Sequence, residues 1–149
     1  MEGGKRLKPL VMNRDEERVK RTKSILILLK SDAKNLLNRI VNRKAEYLLE
    51  FSLKRTREHF REIFQCRYPK CRIETLKWCS PDVIISLDQF YVLVDELCWY
   101  LNHTQDMIKT AEDRVNLFCK QLQRSFGTLE LYVDAEIDVQ DTLLGKFKQ

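Results

Sequence analysis

Residues 87–125 read LDQFYVLVDELCWYLNHTQDMIKTAEDRVNLFCKQLQRS. Leu87, Val94, Leu101, Ile108, Val115 and Leu122 recur every seven residues. Phe90, Leu97, Thr104, Ala111, Phe118 and Ser125 follow each of them by three. Positions three and four apart share one face of a helix, so this spacing draws a continuous apolar seam of the coiled-coil kind. Only Thr104 and Ser125 weaken it, and Gly127 stands where a helix C′ glycine belongs. The seam predicts one helix of about 45 residues and a fold class of all-α.

Upstream the pattern is similar. Asn13 precedes Asp15, Glu16 and Glu17, a cap followed by acids where the positive end of a helix favours them. From there to Phe64 there is neither Gly nor Pro. Val19, Thr22, Leu26, Leu29, Ala33, Leu36 and Ile40 alternate in steps of three and four. The stripe then hops to Leu37, Val41, Ala45 and Leu48, and again to Leu49, Leu53, Thr56, Phe60 and Ile63. Such drift suits a nearly straight helix with more than one neighbour. Ser31-Asp32 is a candidate break, because both residue types favour caps.

Residues 66–81 separate the two segments. Pro69 and Pro81 punctuate them, and Ser80 reads as an N-cap before a proline at the first helical position. The simplest architecture is therefore a long antiparallel helical hairpin, a coiled-coil-like bundle spanning residues 13–126 with its turn at 66–81. Residues 1–12, with Lys5, Arg6 and Lys8, read as a flexible basic arm, and 127–149 as an acidic tail. In that tail Leu129, Leu131, Val133, Ala135, Ile137 and Val139 alternate with polar residues and Tyr132. Period two is the signature of a strand, so a short β-strand is one reading there, with a helix or a loose tail as the other. A two-helix hairpin leaves apolar surface over. Val83, Ile84, Tyr91, Cys98, Tyr100 and Leu117 widen the stripe, calling for a folded-back third helix or another chain.

The 149 residues suffice for one domain, and a hydrophobic share of 44% with 33% charged residues excludes a disordered chain. The longest apolar run, Ile25–Leu29, is far too short to span a bilayer, and no signal-peptide core opens the sequence. The expectation is a cytoplasmic chain, with a nuclear location as the alternative, not secreted and not inserted in membranes. Its five cysteines are then expected as reduced thiols.

Charge is uneven. Residues 1–80 hold 21 Lys and Arg against 10 Asp and Glu, and residues 81–149 hold 6 against 12. Lys5, Arg6, Lys8, Lys20, Arg21 and Lys23 form the basic end. The imbalance can face an acidic partner, or the two halves can neutralise each other by packing together.

Chemistry-bearing motifs are sparse. Cys66, Cys71 and Cys79 with His59 make a Cys3His set that zinc could use. The tight Cys-x-x-Cys pair that presets two ligands is missing, so an ordinary hairpin corner without cofactor is the plainer reading. There is no Gly-rich phosphate loop, no Glu-x-x-His pair and no nucleophile with an orienting base. An enzyme is not expected.

The sequence points to a non-enzymatic interaction protein, a coiled-coil-type subunit or adaptor of a larger assembly such as a cytoskeletal scaffold. Its partners would be other protein chains, by self-association or hetero-assembly. Leu87, Phe90, Val94, Leu97, Leu101, Ile108, Val115, Phe118 and Leu122 would form the packing seam. The alternative is a nucleic-acid-associated regulator that binds through the basic N-terminal half.

Overall fold

A computed structural model describes residues 2–53, 57 and 59–147, apart from the side chains of residues 2–13 and of His59. Among the described residues the chain is an all-α bundle without strands. Helices α1 (Glu2–Asn42) and α2 (Lys44–Ser52) lead to a connector. The connector holds α3 (His59–Phe64), a 3-10 turn (Tyr68–Lys70) and α4 (Ile73–Leu76). Helices α5 (Pro81–His103) and α6 (Ile108–Phe147) complete the chain.

The stripe read on α1 is the stripe that packs. Val19, Thr22, Leu26, Leu29, Ala33, Leu36 and Ile40 are all buried. Ser31-Asp32 does not break α1, whose helical backbone begins at Glu2 and passes straight through. After Arg43 the register is partly lost: Ala45, Leu49 and Leu53 are exposed, while Tyr47 is buried instead. The Tyr47 hydroxyl donates to the Ile40 carbonyl at 2.7 Å, so a phenol bridges the α1–α2 junction.

The seam of residues 87–125 needs correction in one respect. It is two helices, not one. The chain turns at Thr104–Met107, and α6 runs back along α5. Phe90 meets Phe126 with ring centroids 6.1 Å apart, and the Ser80 amide donates to the Glu136 carboxylate at 2.9 and 3.1 Å, which fixes an antiparallel register. Seven-residue spacing survives the turn because both helices aim their seams at one core. No Gly or Pro marks the turn. Arg57 from the connector donates to the carbonyls of Leu101 and Thr104 at 2.8 and 3.0 Å, filling acceptors that the end of α5 leaves open. The Thr104 hydroxyl accepts from the Asp106 amide at 3.0 Å.

The strand reading of the tail is likewise replaced by helix. Residues 129–139 lie inside α6, with Leu129 and Val133 fully buried and Leu131 and Val139 exposed. Spacings of three and four from Ala111 through Val115, Cys119, Leu122, Phe126 and Leu129 to Val133, with Gln140 two turns further on, define its buried face. Gly127 is an interior residue of α6, not its end, and a Cβ there would meet nothing within 4 Å. The tail thus supplies the third helix. It packs against α1 and α5 together, in a bundle in place of a two-helix hairpin.

The charge asymmetry is partly resolved within the chain. Lys23 pairs with Asp141 at 2.5 Å, and Lys30 reaches Asp134 at 2.7 Å and Glu130 at 3.7 Å, all between α1 and α6. These pairs run in opposite directions along the two helices, so α1 and α6 are antiparallel.

Candidate functional site: the α5–α6 face and the connector cleft

With the core assigned, the expected partner seam has been used. Leu87, Phe90, Val94, Leu97, Leu101, Val115 and Leu122 are buried in the chain's own core, Phe118 is half-buried against Tyr100, and Ile108 is half-exposed near the turn. The apolar surface left over lies elsewhere. Ile85, Val92 and Trp99 repeat every seven residues on the outer side of α5. The antiparallel register brings Leu131 level with Ile85 and Leu117 level with Trp99. All five are between 45% and 68% exposed. A shallow groove lined by Gln89, Val92, Leu93, Arg124, Ser125 and Thr128 lies between α5 and α6, with Val92 as the one member of these rows on its wall. From Ile85 to Trp99 the row extends about 21 Å at 1.5 Å per residue.

Helix α5 carries Asp82, Asp88, Asp95 and Glu96 and no Lys or Arg. Arg124 is the one charged residue that lines the groove, and Asp88 and Asp95 of α5 act instead on Tyr68, Cys66 and Cys98 at the connector. Seven of the nine residues of the heptad seam pack within the chain, and a second, exposed apolar row on α5 shares its period.

On another side of the bundle the connector and α1 enclose an open cleft of about 1180 Å³. Arg39, Arg43, Arg61, Arg67 and Lys70 line it, with Asp32 and Glu62 as its carboxylates. Asp32 fixes the connector: it accepts from the Arg67 amide at 2.8 Å, the Tyr68 amide at 3.2 Å and the Tyr91 hydroxyl at 2.6 Å. The Tyr68 and Tyr91 rings stack with centroids 4.0 Å apart. The Arg39 guanidinium donates to the carbonyls of Ile63, at 3.1 Å, and Gln65.

The cysteines belong to this corner without forming a ligand set. Cys79 is buried, Cys66 and Cys71 are half-buried, and all five thiols are free. Among the described residues no three His, Cys, Asp or Glu side chains are arranged to hold a metal, so Cys66, Cys71 and Cys79 do not converge as zinc would require. The fourth member of that set, the His59 side chain, lies outside the described residues. Burial pushes the Cys79 thiol up to about 11, and it raises Cys66, Cys71, Cys98 and Cys119 as well. Such thiols are poor nucleophiles at neutral pH.

Of the basic end, Lys5, Arg6 and Lys8 fall among side chains outside the described set. Lys20 and Arg21 pair with Glu16 and Glu17 at 3.3 and 3.9 Å, and Lys23 is held by Asp141. The cleft arginines were visible in the sequence only as scattered charges. Their convergence depends on the connector folding back onto α1.

No described helix is long and apolar enough to cross a membrane. No protein-family model, curated protein or solved structure matches the chain.

Proposed function

We propose that the chain is a non-enzymatic helical subunit that assembles by self-association, its α5–α6 face docking on the same face of a second copy. The observation that carries this reading is the exposed row of Ile85, Val92 and Trp99 on α5, with Leu117 and Leu131 exposed at matching levels of α6, left over after the bundle has filled its own core. Exposed apolar residues aligned on one face mark interaction surfaces more often than scattered ones do.

The matching levels of the exposed apolar residues on the two antiparallel helices favour a second copy as occupant. A two-fold axis running along the groove sets α5 of one copy over α6 of the other. Ile85 then faces Leu131 and Trp99 faces Leu117. Both halves are satisfied by one operation, as an isologous interface requires. A large aromatic anchor such as Trp99 inside a charged rim suits such contacts.

Light scattering and native mass spectrometry under reducing conditions test this. The expected mass is twice 17.8 kDa for the parent chain and 17.8 kDa for Trp99→Asp or Leu131→Asp, with helical circular dichroism unchanged. A monomeric parent at micromolar concentration overturns self-association. A complex from its own source with other chains in fixed ratio, beside that monomer, moves the assembly role to a hetero-partner.

A further inference from the structure

We propose that the cleft between α1 and the connector is a binding site for a compact anion carrying several phosphate groups. The proposal is independent of self-association, since the cleft shares no residue with the rows that define the α5–α6 face.

The first argument is charge. Arg39, Arg43, Arg61, Arg67 and Lys70 set five cations against the lining carboxylates of Asp32 and Glu62, an excess of three that falls to two when Asp95, which acts on the lining thiols of Cys66 and Cys98, is counted. Asp32 is already occupied by three donors from the connector and α5. Among the described residues Arg43, Arg61, Arg67 and Lys70 make no ion pair, although carboxylates pair with Lys20, Lys23 and Lys30 elsewhere on α1. The thiols in the cleft add no negative charge, because burial raises both Cys66 and Cys98.

The second argument is preorganisation. Asp32 holds the backbone of Arg67 and Tyr68, and so the 3-10 turn that carries Lys70. Carbonyls of α3 and the residue after it fix Arg39 in place without neutralising it. Cations already gathered by the fold cost less ordering when a ligand arrives. Arginine forks also suit phosphate oxygens, which accept paired N–H donors.

The third argument concerns shape. A nucleic-acid track would need a stripe of free cations running on from the cleft. Of the seven described cations further up α1, Lys20, Arg21, Lys23 and Lys30 have carboxylate partners, while Arg14, Arg18 and Lys34 have none among the described residues and stand dispersed along the helix. The densest group of unpaired cations lies in one hollow of about 1180 Å³, which favours a compact polyanion over a strand.

Isothermal titration at low salt with inositol hexakisphosphate, inorganic tripolyphosphate, orthophosphate and a short single-stranded oligonucleotide tests the site. The expected result is one saturable site per chain for the first two, at least about tenfold tighter than orthophosphate. Arg43→Gln with Arg67→Gln and Lys70→Gln should weaken it by roughly tenfold or more. Lys20→Gln with Arg21→Gln should leave it intact. All these side chains are exposed, so unliganded thermal unfolding serves as the folding control. Absent saturation, or equal loss in both variants, overturns the proposal. An oligonucleotide that displaces hexakisphosphate and binds more tightly overturns the compact-anion assignment in favour of a strand.

Discussion

The Tyr91 hydroxyl donates to the Asp32 carboxylate at 2.6 Å, and that carboxylate also receives the amides of Arg67 and Tyr68. One side chain thereby ties α1, α5 and the connector together. Asp32→Asn puts an amide group where an acceptor is needed, so at least one N–H loses its partner. The expected loss is about 2 kcal/mol, against about 1 kcal/mol for Tyr91→Phe, which removes a single donor. A double-mutant cycle by urea unfolding should show coupling between the two. Additive effects would mean that the contact contributes nothing.

The antiparallel packing of α1 on α6 is checkable by zero-length carbodiimide cross-linking. Lys30 should join to Asp134 or Glu130, and Lys23 to Asp141, with peptides identified by mass spectrometry. The Asp134 hydrogen bond is the main cause that raises Lys30 above the ordinary lysine range. The exposed pairs themselves contribute little, about 0.5 kcal/mol each, and less in high salt. Links from Lys30 only to residues of α5 would contradict this bundle.

Two valines separate helix from strand in the tail. On a strand Val133 and Val139 would share one face and respond alike to truncation. On α6 Val133 is fully buried and Val139 is 55% exposed. Val133→Ala should therefore cost about 2 kcal/mol and Val139→Ala no more than about 0.5 kcal/mol. Equal costs in thermal unfolding would restore the strand.

That misreading shows what the sequence made legible and what it did not. Seven positions from Val19 to Ile40 were readable, because their spacing satisfies one helix face and no other periodicity. The cap made by Ser80 before Pro81 was readable for the same local reason; Ser80 Oγ accepts from the Val83 amide at 3.4 Å. The α5–α6 turn was not, because the groups that complete it include Arg57, 44 positions before Leu101. Nor was the tail: alternate apolar residues fit a strand locally, and only packing against α1 and α5 selects Leu129 and Val133 over Leu131 and Val139. The connector cleft is a tertiary product throughout, since its cations come from α1, the α1–α2 junction, α3 and the 3-10 turn with its cap.

The thiols give a pH prediction. In the unfolded chain cysteine ionises near its ordinary value of 9.0, whereas burial holds Cys79 up to about 11. Deprotonation above pH 9 then favours the unfolded state, so this contribution to stability is complete below pH 9 and disappears as pH rises through 11. Urea midpoints between pH 8 and 11 should fall, and Cys79→Ala should fall less steeply. The same burial makes Cys79 and Cys119 slow to alkylate at pH 8 until denaturant is added. Rapid labelling of both in the native protein would contradict their placement.

Gly127 and Gly145 offer the reverse kind of test, a gain. Both lie within α6, and a Cβ at either would meet nothing within 4 Å. Neither position needs the left-handed backbone that glycine alone adopts freely. Glycine in a helix interior is less favourable than alanine by about 1 kcal/mol, chiefly because it surrenders more backbone freedom. Gly127→Ala should therefore raise stability by roughly 0.5–1 kcal/mol. Gly145→Ala should give less, because it stands in the last turn, where the helix frays. Thermal unfolding of both single variants measures the difference. A loss at Gly127 would mean that α6 ends there, with glycine in the C′ conformation that the local sequence suggests.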